Sequence, residues 1–121
     1  MSRIRNKIRP EKPVRLKPAV FHNLLALFQN SRHGLGIADE VERSTDGAMR
    51  LGPGTLYRSL KEMSRDGLVD EVAVQRPDQD PRRKLYRITA RRRKLVRIEA
   101  ERYESIVEVA RRRDVLPQSR S

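Results

Sequence analysis

The sequence contains no cysteine and no tryptophan, and its aromatic side chains are three tyrosines and two phenylalanines. Without cysteine, a disulfide framework and any thiolate-bound metal are excluded. The two histidines, His22 and His33, stand at no metal-ligand spacing with another histidine, cysteine or aspartate, so no metal site is expected. A phosphate loop of the Walker type is missing too, because Gly52-Pro53-Gly54-Thr55 is not followed by the lysine such a loop needs. The acidic residues are scattered without a catalytic pair, and neither enzymatic activity nor a cofactor is expected. No run approaches the ~20 apolar residues of a membrane span. The basic first residues lack the apolar stretch of a secretory signal. These shortages lead us to expect a cytoplasmic, nucleoid-associated protein with no membrane partner.

Acidic residues are the other deficit: 16 Asp and Glu face 28 Lys and Arg, for a formal net charge of +12. A surplus of that size sets up an attractive field for a polyanion such as nucleic acid. The 121 residues suit one domain, and hydrophobic residues make up only 36% of them, so the core must come from strictly patterned amphipathic elements.

Residues 1–17, MSRIRNKIRPEKPVRLK, carry a net +6, half of the chain's surplus. Pro10 and Pro13 break any helix there, and the segment reads as a basic flexible arm suited to phosphates or a minor groove, or as a solubilising extension. From Pro18 the pattern turns helical, with Val20, Leu24, Leu25, Leu27 and Phe28 on one stripe. After NSRHG, a second helix near Leu35 to Ser44 should turn Leu35, Ile37, Ala38 and Val41 inward, with Gly47 beyond its end. Pro53 opens a third helix to about Asp66 that buries Leu56, Leu60 and Met63, and Gly67 closes it. The period then changes to two. LVDEVAV (68–74) and KLYRIT (84–89) read as strands of a β-hairpin whose tip is RPDQDPRR (76–83). Thr89 can cap a last helix reaching about Arg113, before a frayed tail over 114–121.

Helix, turn and helix followed by a basic hairpin is the layout of a winged helix-turn-helix. The expected fold is therefore mainly α with a small β-hairpin, a winged-helix domain over 18–89 and a long C-terminal dimerisation helix over 90–113. On a helical wheel Arg58, Lys61 and Arg65 oppose the core residues of the third helix, and Tyr57 lies on the flank. A helix with a basic outer face suits the DNA major groove, where Arg reaches guanine edges and Thr55 can meet a base or a phosphate. Free backbone N–H groups at Gly54 and Thr55 face the same way. Arg76, Arg82, Arg83 and Lys84 of the hairpin would position the domain on phosphates.

The stretches RHGLGIADEVE, LGPGTLYRSLKEMSRDGLVDE and RRKLYRIT resemble the PadR family of bacterial transcriptional regulators over about Ala19 to Arg113. The resemblance implies a repressor that binds a palindromic operator in double-stranded DNA as a homodimer. It places recognition at Thr55, Tyr57, Arg58 and Lys61, with Tyr57 either on the sugar-phosphate backbone or packed at the flank of the helix, and wing contacts at Arg82, Arg83 and Lys84. One departure stands out. The family's pattern after the second strand has a glycine where this sequence has Arg92, within the cluster Arg91–Lys94, which reads as exposed helix surface.

On the last helix Val96, Ile98, Ala100, Tyr103, Ile106, Val107, Val109 and Ala110 span more than half the wheel, wider than one core requires. A second copy is the simplest partner, through Val96, Ala100, Tyr103, Ile106, Val107 and Ala110. Glu99 and Arg102 beside this arc suit ion pairs between helices. The resemblance also implies that many relatives sense small aromatic or lipophilic molecules in a pocket at the dimer interface. With so few aromatic side chains, an effector is left open here but unsupported. Two other readings stay open: a general nucleic-acid or ribosome-associated basic protein without sequence specificity, and a winged helix whose charged face docks an acidic protein.

Overall fold

Proline starts two of the helices. Its fixed φ and missing N–H suit the first turn, where no intrahelical acceptor is available. In the computed structural model, which describes residues 15–72 and 84–118, Pro18 opens α1 (Pro18–Leu27) and Pro53 opens α3 (Pro53–Arg65). Between them lies α2 (Gly34–Ser44), and the last helix is α4 (Ala90–Arg112). The tip of the expected hairpin and residues 1–14 of the expected arm lie outside the described residues.

Helix ends follow local chemistry. Asp46 and Gly47 take positive φ after α2, and the Gly47 N–H reaches back to the Glu42 carbonyl at 2.8 Å. Gly67, at φ +74°, reverses the chain after α3, and the Leu68 N–H then donates to the Met63 carbonyl at 2.8 Å. A residue with a side chain is strained in that left-handed region, which accounts for glycine at 67. Thr89 precedes α4 as expected, but its hydroxyl does not cap the helix. Its Oγ1 is buried without a hydrogen-bond partner among the described residues, while its carbonyl accepts from the Arg92 and Arg93 N–H groups.

Three short strands form one antiparallel sheet in the order β1-β3-β2, from β1 (Arg32–His33), β2 (Val69–Val72) and β3 (Leu85–Ile88). The two expected strands are present, and Ala73 and Val74 of the first lie outside the described residues. β1 is an addition that the sequence did not signal. Two residues carry no period, and Arg32 finds Tyr86 across the sheet only once the chain has folded. In β2 and β3 the cross-strand pairs Asp70–Arg87 and Glu71–Tyr86 set the register.

The core lies between α1, α2, α3, the sheet and the start of α4. Leu24, Leu27, Ile37, Val41, Leu56, Leu60 and Met63 are its most deeply buried side chains, joined by Tyr86, Ile88 and Val96. Two inward assignments are corrected: Leu35 is 62% exposed and Leu25 44% exposed, each pointing off the packed face of its helix. Leu16, placed in the arm by its sequence context, is buried against the core, so the packed domain begins before Pro18. The architecture is mainly α with a small antiparallel sheet, a winged helix extended by a long terminal helix. At ~1.5 Å per residue, the 23 residues of α4 span roughly 35 Å.

Candidate nucleic-acid interface

The 3.6-residue period divides α3 into two functions. Leu56, Leu60 and Met63 are buried on one side, and Thr55, Arg58, Lys61 and Arg65 are exposed on the other. Burying three large apolar side chains holds the helix from behind, at about 1.5–3 kcal/mol each. A polar contact adds to this. Asn23 of α1 is fully buried, and its Nδ2 donates to Ser59 Oγ at 3.3 Å and approaches Met63 Sδ at 3.7 Å. The sequence reading missed Asn23. Its one signal is an amide set beside Leu24 and Leu27 on an otherwise apolar face.

The outer face of α3 differs along its length. Arg65 lies 3.4 Å from Asp66 Oδ1, so part of its charge is answered locally. Among the described residues no acid comes within 4.0 Å of Arg58 or Lys61. At the start of the helix the cap is Gly52, with no side-chain hydrogen bond and no acid in the first turn. A Cβ built at Gly52 or Gly54 would meet nothing within 4 Å, so the space over this end is open. Free N–H groups and the positive end of the helix dipole thus face outward beside Thr55.

Tyr57 is half-buried on the flank of α3, packed against the core. Its ring lies on Gly34, the first residue of α2: a Cβ at Gly34 would sit 2.9 Å from Tyr57 Cε1 and 3.0 Å from its hydroxyl oxygen. The same phenol is near Tyr86 of β3. Burial first, then the facing Glu71 and then Tyr57, push the Tyr86 hydroxyl above its ordinary pKa. Tyr57 therefore stands where α2, α3 and the sheet meet.

The base of the wing is described from Lys84 onward, and Arg82 and Arg83 lie outside the described residues. Lys84 is exposed and its Nζ lies 3.2 Å from Glu71 Oε1. The His33 ring Nδ1 donates to the Lys84 carbonyl at 3.3 Å, tying β1 to the start of β3.

α4 splits into a seated half and a free half. Val96, expected at a contact between copies, is 2% exposed and belongs to the subunit's own core, so no second chain can reach it. Tyr103 is half-buried, its ring 5.1 Å from that of Phe21. Ala100 and Ile106 are exposed, Val107 and Ala110 half-buried, and exposed Ile98 and Val109 widen the apolar surface. Glu99 and Arg102 pair within one helix. The buried Glu99 carboxylate accepts from Arg102 Nε at 3.1 Å and Nη2 at 3.0 Å. The Arg102 hydrogen bond chiefly, helped by the Leu16 backbone N–H and by Arg15, holds the Glu99 pKa below the ordinary carboxylate value.

The cluster Arg91–Lys94 is not uniformly exposed surface. Arg93 is half-buried, donates from Nη1 to the Phe28 carbonyl, and stacks 5.0 Å from the Phe28 ring centroid, where Arg97 also lies at 5.1 Å. Arg92 lies over the turn at Gly67, with its Nη2 4.0 Å from where a Gly67 Cβ would stand. The helix still begins at Ala90, so the substituted glycine leaves its entry in place. Among the described residues no cluster of three or more acidic or histidine side chains could hold a metal ion, and no helix is long and apolar enough to cross a membrane.

An exposed basic helix held from behind, beside a small antiparallel wing, defines the winged-helix DNA-binding fold of transcriptional regulators. Residues 24–97 match the Transcriptional regulator PadR-like family, and the chain belongs to that family. Among solved structures it is similar to a PadR family transcription regulator from Clostridium difficile R20291, with 20% identity, 79% of this chain and 97% of that one covered, and a TM-score of 0.65. It is also similar to a PadR-like transcription factor from Bacteroides fragilis (17% identity, 92% and 94% covered, TM-score 0.66). A transcriptional regulator from Clostridium thermocellum shows 21% identity with 78% and 87% covered, at a TM-score of 0.64. No curated protein matches the sequence significantly.

Proposed function

We propose that this regulator is a homodimeric repressor that binds a palindromic operator, laying α3 of each copy in successive major grooves roughly one helical turn (about 34 Å) apart. The observation that carries the reading is the outer face of α3, where Arg58 and Lys61 stand exposed and without an acidic neighbour among the described residues. Thr55, Arg58 and Lys61 read bases. Tyr57, Arg65 and Lys84, with Arg82 and Arg83 of the wing, hold the duplex by its backbone. The second copy joins through the free half of α4, where Ile98, Ile106 and Val109 leave an apolar face uncovered in one subunit.

The test is Arg58→Ala, measured against a duplex enriched by the wild-type protein from a random pool and against a scrambled duplex. Loss of a bidentate base contact costs about 1–3 kcal/mol on the enriched duplex and little on the scrambled one. Equal weakening on both makes Arg58 a phosphate contact and removes the base-reading assignment. The net charge of +12 favours a second reading, a general nucleic-acid binder. A wild-type protein that prefers RNA, or enriches no duplex sequence, establishes that one instead.

A further inference from the structure

We propose that Gly34 is a positioning residue for DNA recognition: its bare backbone is the seat on which the Tyr57 ring lies, and this seat fixes the presentation of α3 relative to α2 and the wing. The inference rests on the reading of α3 as the recognition helix. Gly34 is the first residue of α2 and is itself buried. It is not needed there for backbone freedom, since the positive-φ glycines are Gly47 and Gly67. What it supplies is space. A methyl group at this position would stand 2.9, 3.0 and 3.1 Å from three atoms of the Tyr57 phenol, inside the distance that carbon and oxygen tolerate. Gly36, two residues on, meets only Arg32 Cβ at 3.7 Å and lacks this role.

The atoms that a methyl group would strike belong to the far end of a side chain that can rotate. The fold can therefore absorb an alanine by moving the ring, at a helix start where alanine is itself accommodated. The consequence falls on α3. Tyr57 precedes Arg58 and stands opposite the wing strand that carries Tyr86, so a displaced ring changes the fit between helix and wing. A base contact built for one geometry loses strength when its support is loosened by about an ångström.

A double-mutant cycle in the full chain tests this with Gly34→Ala, Tyr57→Ala and the pair, using the enriched and scrambled duplexes defined above. Gly34→Ala alone should weaken binding to the enriched duplex roughly tenfold, equivalent to about 1.4 kcal/mol, and weaken scrambled-duplex binding less, through the Tyr57 backbone contact alone. In the Tyr57→Ala background the same change should cost nothing, because the ring it displaces is gone. Thermal unfolding of Gly34→Ala should show no loss of stability. An equal cost in both backgrounds, or no cost in either, overturns the proposal. A wild-type protein that enriches no duplex overturns the recognition reading itself and this inference with it, whereas an additive cycle leaves that reading standing.

Discussion

Replacing Arg93 with alanine measures how firmly α4 is held against the winged-helix body. Two interactions are lost together. The guanidinium donates to the Phe28 carbonyl just past the end of α1, and it lies 5.0 Å from the centre of the Phe28 ring. A hydrogen bond from a charged donor contributes about 1.5–3 kcal/mol. The site is only part-buried, so water can reach the abandoned carbonyl, and the lower end applies. The cation–π contact adds about 0.5–1 kcal/mol, and Arg97 remains on the same ring after the change. The expected loss is therefore about 2 kcal/mol, against about 1 kcal/mol for Arg93→Lys, which keeps the charge but not the planar fork. Arg91→Ala, two residues away and exposed, should stay within about 0.5 kcal/mol. Urea denaturation is run at one fixed protein concentration, so that any association affects every variant alike. If Arg91→Ala and Arg93→Ala give the same small change, the clamp on Phe28 contributes nothing.

Two further outcomes follow from α4. Ile106, half exposed in a single subunit, would meet the second copy, so Ile106→Asp should weaken dimerisation at least ~100-fold by sedimentation, since a charge would be buried without a partner; an unaltered dimer would exclude this face. The lowered pKa of Glu99 contributes stability that is fully present above the ordinary carboxylate value of 4.5 and is lost as pH falls through the depressed one, so Glu99→Gln should flatten the acid limb of a stability–pH profile. An acid limb identical to that of the wild type would separate Glu99 from acid unfolding.

What the sequence disclosed was local. Pro18 and Pro53 mark helix starts whatever else the chain does, Gly67 marks a reversal, and the period of α3 sorts Leu56, Leu60 and Met63 from Arg58 and Lys61 without knowledge of any partner segment. The features that escaped depend on residues far apart. β1 exists because Arg32 meets Tyr86. Leu16 is buried because α1 and α4 leave room beside it, and Glu99 accepts its backbone N–H. Arg91 and Arg93 are chemically alike and adjacent in pattern, yet one is solvated and the other clamps Phe28, a difference of helical phase against a surface that periodicity cannot draw. Val96 failed for the same reason. An arc wider than one core needs announces two apolar partners, but it does not say which residues go to which.

Ion pairing shows where the net charge can act. A basic side chain within 4 Å of a carboxylate still attracts a polyanion, though less than a free one, because binding must loosen a pair that holds at most about 1 kcal/mol. On α2 and the loop after it, Glu40 and Glu42 answer Arg43 and Arg50, and on the sheet Asp70 and Glu71 answer Arg87 and Lys84. Arg93 and Arg97 are engaged with Phe28. Among the described residues Arg58 and Lys61 have no such carboxylate, but neither do Arg15, Lys17, Arg91, Arg92, Lys94, Arg112 and Arg113, so ion pairing alone does not single out α3. The surplus of +12 by itself argues only for nonspecific attraction. What sets α3 apart in the proposed reading is that Arg58 and Lys61 stand on the outward face of a helix whose opposite face, Leu56, Leu60 and Met63, is buried.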